Sequence, residues 1–216
     1  MGLGKTNTII ALLSTIYTTP DKLQEERCGS LNNLNESYGR SLLQRGSKLS
    51  LIVCPATLMN HWRKEIKSWS DDLHSFTSIL HEEKSKRKKI ILKEVSDQSK
   101  GVKKDKIVIT SYETLRLEIK TFKKINWFYL ILDEGHKIKN PSAQITEACK
   151  SIHASNRIII TGTPLQNSLT ELWSLIDFVS PGLLSDQITF EREFCPKILK
   201  SGYLKASKEE VFISRG

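Results

Sequence analysis

The stretch Tyr129 to Asn140, "YLILDEGHKIKN", decides how the rest of the chain is read. A nearly continuous apolar run ends in Asp133-Glu134, the pattern of a strand buried on both faces that carries two carboxylates at its carboxyl end. One carboxylate in that place can hold a Mg²⁺ shell while the second orients or deprotonates an attacking water, and hydrolysis of a nucleoside triphosphate needs both tasks. An Asp-Glu pair after a strand is by itself often only a polar strand end. Its neighbours in the chain carry the assignment.

Far upstream, "MGLGKT" supplies Gly2, Leu3, Gly4, Lys5 and Thr6, the second half of a G-x-x-x-x-G-K-[ST] phosphate loop. In such a loop backbone amides cradle phosphates, the lysine reaches the β- and γ-phosphates and the hydroxyl binds Mg²⁺. The same residues also fit an N-myristoylation pattern, and a lysine followed by "TIIALLSTIY" imitates a short signal peptide. What separates these readings is order: Lys5-Thr6 precedes Asp133 by about the length of three or four β-α units. Downstream, "RIIITGTPLQNSLTELWSLIDF" runs another buried strand into Thr161-Gly162-Thr163-Pro164. Small hydroxyl residues and a glycine there permit close backbone approach to the carboxylates and hydrogen bonds that sense a γ-phosphate.

The intervening sequence keeps the same rhythm. Short, nearly continuous apolar runs at 49–54, 76–80, 106–111, 127–132 and 157–161 predict strands. Ile9, Ile10, Leu13 and Ile16 share one helical face, as do Leu58, Trp62, Ile66 and Trp69, and then Leu169, Leu172, Trp173, Ile176 and Val179. This spacing assigns Trp62 and Trp69 to the core. Alternation of strand and helix predicts an α/β fold with a doubly wound, mostly parallel sheet. The Asn-, Ser- and Gly-rich stretch 27–47 reads as the main part of a surface insertion at 20–47. His61, His74, His81 and His153 have no partner pattern and are expected at the surface.

Composition limits the function. The chain has 216 residues, enough for one large α/β domain or one lobe of something larger, and a formal net charge of +9. No apolar run approaches the ~18 residues of a membrane span. Cys28, Cys54, Cys149 and Cys195 lack C-x-x-C spacing, which argues against zinc and for reduced thiols. Residues 81–106 hold ten Lys/Arg against five Asp/Glu. A solvated basic helix explains them as well as a nucleic-acid patch or, at 84–89, an import signal. No N-K-x-D guanine-reading motif occurs, which disfavours a GTPase.

Five separated motifs in fixed order, "GLGKT", "LIVCPATLMNHWRKE", "IVITSYETLR", "LILDEGHKIKNPSA" and "IITGTPLQNSLTELWSLIDFVSPG", resemble the first RecA-like lobe of the Swi/Snf-type ATPases. "SILHEE", "NWFYLILDEGHKIKNPSAQITEACK" and "FCPKILKSGYLKAS" are most similar to the Cockayne syndrome group B branch, which acts in transcription-coupled repair. The resemblance implies a RecA-like P-loop NTPase lobe over residues 1–182 and an exit segment at 183–216 leading to a second lobe. It implies an ATP-driven translocase on double-stranded DNA, a nuclear location, and chromatin or transcription partners. ATP would lie on Gly2, Leu3, Gly4, Lys5 and Thr6. Thr6 and Asp133 would hold Mg²⁺, with Lys5, Asp133 and Glu134 as the catalytic set. His136, Thr161, Gly162, Thr163 and Gln166 would couple the nucleotide to the rest of the motor. Pro55, Thr57, Thr110, Ser111 and Tyr112 would line the DNA backbone.

The same resemblance implies that a strand before Gly2 belongs inside the sheet. Its loss is expected to expose backbone groups at about 1–3 kcal/mol each, a serious burden on a fold stable by ~5–15 kcal/mol. A polypeptide of these residues alone is expected to hydrolyse ATP negligibly. The competing reading is a non-catalytic basic module that binds DNA or a partner.

Overall fold

The computed structural model describes residues 4–18, 48–80, 106–162 and 169–196. The insertion at 20–47, the basic run at 84–89, and Gly2, Leu3, His81, Thr163 and Gln166 lie outside them. Helix α1 (Lys5–Thr18) precedes β1 (Leu49–Cys54), which is followed by a 3-10 turn (Ala56–Leu58), α2 (Met59–Trp69), α3 (Asp71–Ser75) and β2 (Thr77–Leu80). Then come β3 (Lys106–Ser111), α4 (Tyr112–Leu117), α5 (Ile119–Phe122) and β4 (Trp127–Asp133). A second 3-10 turn (Gly135–Ile138), α6 (Gln144–Lys150), β5 (Ala154–Ile160), α7 (Leu169–Val179) and α8 (Gln187–Glu193) complete the order.

The strands form one parallel sheet in the order β2-β3-β1-β4-β5. All residues of β1 are buried, as its nearly continuous apolar run requires of a central strand covered on both faces, and its one hydroxyl, Ser50, is paired with the Tyr17 hydroxyl. Alternation along the strands divides the core into two clusters. Ile52, Ile107, Ile109 and Ile131 face Ile10 and Leu13 of α1, Trp62 and Ile66 of α2 and Leu73 of α3. Leu51, Val53, Val108, Leu130 and Leu132 face Leu115, Phe122, Cys149 and Phe178 on the opposite side. The expected doubly wound α/β architecture is therefore observed.

The five described strands pair without a gap, with β2 and β5 outermost, so a strand before Gly2 would join at an outer edge of this set. Two expectations change. Trp69, assigned to the core with Trp62, is 49% exposed, because α2 turns its last residue outward at the Ser70 cap. Helix α7 buries Trp173, Ser174, Leu175 and Phe178 and leaves Val179 exposed. A hydrogen bond from Ser174 Oγ to the Ile138 carbonyl (2.8 Å) and the packing of Phe178 in the core fix that rotation. The described part of the exit segment stays on the domain: Trp173 Nε1 donates to the Ser185 carbonyl, and Thr170 Oγ1 to Glu191.

Candidate active site

All parallel strands end on one side, so the residues after β1, β3, β4 and β5 share a rim at their carboxyl ends, where open α/β sheets bind ligands. The chain enters α1 through Gly4, whose φ of +67° is a left-handed conformation that glycine adopts without strain. Lys5 and Thr6 form the first turn of the helix. The Lys5 ammonium lies against Gly162, just beyond β5. A Cβ built on Gly162 would stand 2.6 Å from Lys5 Nζ and 4.0 Å from Glu134 Oε1. The missing side chain of Gly162 is thus the space in which the lysine approaches the end of β4.

Asp133 is held on three sides. Its Oδ2 accepts a buried hydrogen bond from Trp62 Nε1 (2.8 Å), and its Oδ1 accepts one from the Glu134 amide (3.0 Å). The Tyr112 hydroxyl donates to its main-chain carbonyl (2.9 Å). Burial pushes the Tyr112 phenol far above its ordinary range, so the hydroxyl remains a donor. Burial, with the Asp133 charge nearby, also pushes the Cys54 thiol up to about 12, which leaves it protonated and unreactive.

Glu134 then turns the chain off the strand in the left-handed region, with φ 55° and ψ 52°. A non-glycine residue there costs about 1–2 kcal/mol, and such strain concentrates at functional positions. Gly135 follows where a Cβ would overlap the Ile159 side chain of β5, so the turn packs directly on the sheet. His136 Nδ1 comes within 3.2 Å of Glu134 Oε2 but is not aligned for a hydrogen bond.

Lys5, Thr6, Asp133, Glu134, His136, Thr161 and Gly162 all stand along this rim, on the first turn of α1, at and just after the end of β4, and after β5. Beside them a groove of about 460 Å³ is lined by Pro55, Thr57, Ser111, Tyr112, Arg116 and Lys137, among others. Ser111 also caps α4, accepting from the Thr114 amide at 3.1 Å. Thr110, expected on the DNA face, is instead fully buried, because its position on β3 points it into the sheet packing. Arg116 and Lys137 were not singled out from sequence; basic residues one turn beyond Ser111 and after His136 were the available signal. The polar role of Trp62 was also missed, although a buried indole N–H needs an acceptor that an apolar core does not provide.

Among the described residues no three His, Cys, Asp or Glu side chains cluster as a metal cage. One carboxylate and one hydroxyl suit Mg²⁺, which keeps several waters and takes its remaining oxygens from substrate phosphates.

The fold is that of a RecA-like ATPase core, and the SNF2-related domain model matches residues 1–213. The chain belongs to the SNF2-related domain family. It is 38% identical over 213 residues to the human DNA excision repair protein ERCC-6, a match covering 98% of this chain and 13% of that protein. It is 35% identical to Protein CHROMATIN REMODELING 8 of Arabidopsis thaliana, covering 98% of this chain and 18% of that one. It is 38% identical to the TATA-binding protein-associated factor mot1 of Schizosaccharomyces pombe, covering 97% and 10%. The chain thus spans less than a fifth of the length of each. Among solved structures, the Sulfolobus solfataricus SWI2/SNF2 ATPase core in complex with dsDNA superposes with a TM-score of 0.59 at 25% identity, over 84% of this chain and 36% of that one. No described helix is long and apolar enough to cross a membrane.

Proposed function

We propose that residues 1–182 are the ATP-binding lobe of a motor that moves along double-stranded DNA, acting in the nucleus with chromatin or transcription machinery. The observation that carries this reading is the approach of Lys5 to Gly162 and Glu134 at one end of the sheet, with a groove alongside. Gly2, Leu3 and Gly4 supply amides to the phosphates, and Lys5 pairs with the β- and γ-phosphates. Thr6 and Asp133 would hold Mg²⁺, which when bound would supply charge neutralisation for the transferring phosphoryl group. Glu134 orients and deprotonates the attacking water. His136, Thr161, Gly162, Thr163 and Gln166 pass the state of the γ-phosphate onward. Pro55, Thr57, Ser111 and Tyr112 face the duplex backbone, joined by Arg116 and Lys137, whose contacts position DNA without reading sequence.

Charge reversal of both Arg116 and Lys137 tests the groove in the complete natural polypeptide. Duplex affinity is expected to fall and its salt dependence to flatten by about one unit of log–log slope per lost phosphate contact, with ATP binding retained. An unchanged slope overturns the groove assignment. Salt-sensitive DNA binding in the wild type without any effect on ATP turnover would instead favour a non-catalytic basic module.

Gly162→Ala tests the nucleotide side. The added methyl overlaps only the mobile end of Lys5 and reaches Glu134 Oε1 at an ordinary 4.0 Å, so stability is expected to change by no more than about 0.5 kcal/mol. ATP affinity is expected to fall about tenfold as the ammonium is displaced from its charge-assisted contacts. Equal ATP affinity in the two proteins, read by equilibrium titration, would remove Lys5 from the phosphate site.

A further inference from the structure

Asp133 is tied to the groove through two side chains that have no other polar partner described for them. Trp62 is fully buried, and its single polar atom donates to Asp133 Oδ2 at 2.8 Å. It sits on α2, which begins directly after the Ala56–Leu58 turn, and Ala56 and Thr57 of that turn line the groove. Tyr112 spans the distance within one residue: it lines the groove, and its hydroxyl donates to the Asp133 carbonyl at 2.9 Å. The groove is therefore linked to the main chain of Asp133 by a hydrogen bond from one of its own lining residues, and to the carboxylate through α2 and the bond from Trp62.

We propose that Trp62 and Tyr112 are positioning residues through which duplex DNA seated in the groove sets the orientation of the Asp133 carboxylate. The inference rests on the ATPase reading above and names the parts that join its two ligands. Close-packed interiors transmit displacements instead of absorbing them. A shift of the Pro55–Leu58 segment against a phosphate backbone moves α2 and the indole with it. A shift of the β3–α4 junction moves the phenol. The bond from the Glu134 amide to Oδ1 is local and does not report on the groove. Of the three restraints on Asp133, the two long-range ones both lead to the same groove. Coupling of two binding sites needs such a physical link, and outer partners of a metal-binding carboxylate set its ligand geometry.

The test uses Tyr112→Phe, which deletes one oxygen, and Trp62→Phe, each in the complete natural polypeptide. Binding of a fluorescent ATP analogue is titrated against Mg²⁺, with and without a short duplex, alongside thermal melting. The wild type is expected to bind the analogue roughly 5–150-fold more tightly with DNA present. In the variants that ratio is expected to collapse toward one. The Mg²⁺ needed for half-saturation is expected to rise about 10-fold for Trp62→Phe and about 2–10-fold for Tyr112→Phe. If Trp62→Phe melts early, Tyr112→Phe decides alone. Wild-type coupling with an unchanged ratio and Mg²⁺ requirement in the folded variants overturns the positioning role and leaves the ATPase reading standing. No coupling in the wild type overturns both.

Discussion

Glu134→Gln is expected to lower ATP turnover about 10²–10⁴-fold, the contribution of a positioned general base, while ATP affinity changes little. Glutamine keeps the length of the side chain and removes only its charge and basicity. The left-handed backbone at Glu134 provides an independent control. In Glu134→Gly relief of the strain roughly offsets the added freedom of the unfolded chain, so stability is expected to move by no more than ~1 kcal/mol although the carboxylate is gone. Single-turnover hydrolysis beside thermal melting separates the two effects. Turnover within about tenfold of wild type in Glu134→Gln would move the base elsewhere.

A polypeptide limited to residues 1–216 is expected to hydrolyse ATP near the uncatalysed background, and continuing the chain into an arginine-bearing lobe to raise turnover about 10³–10⁵-fold. The described arginines each have a partner within the domain, and of them only Arg116 lines the groove beside the rim. Arg157 donates to the carbonyls of Phe178, Lys150 and Ile152, and Arg116 donates to Gln144. Arg63 contacts His74, and Arg192 pairs with Glu193. Beside Gly162 the neighbouring side chains are Lys5 and Glu134, with no guanidinium among them. DNA-stimulated hydrolysis by residues 1–216 would show that this part supplies its own stabilising cation.

The centre of the sheet was legible in the sequence because β1, β3 and most of β4 are covered on both faces. "LSLIVC", "KIVITS" and "WFYLILD" need no partner to betray them, and their order with "GLGKT" placed the rim. The rotation of α7 was not legible, because Leu169, Leu172 and Ile176 form as apolar a stripe as the one that is buried. The choice was made by Ser174, a polar residue with a carbonyl to reach at Ile138. Thr110 misled for the opposite reason: a hydroxyl at a strand end looks available to a ligand, and only the packing of β3 between β1 and β2 shows it enclosed. Lys5, Asp133, Glu134 and Gly162 were legible as motifs, and their proximity needed the fold. The bonds to Asp133 from Trp62 and Tyr112 link positions 71 and 21 residues away, a separation at which periodicity carries no information.

The indole bonded to Asp133 also gives the protein an intrinsic optical reporter. Indole emission depends on the local electric field, and of the four tryptophans only Trp62 donates to a carboxylate. Trp127 and Trp173 donate to main-chain carbonyls of Phe122 and Ser185, and Trp69 is half exposed to solvent. On the proposed Mg²⁺ assignment, a divalent cation arriving at Asp133 would alter the field at Trp62, which is hydrogen-bonded to that carboxylate. The colour of the protein's own fluorescence would therefore follow loading of the site in real time, with no label attached.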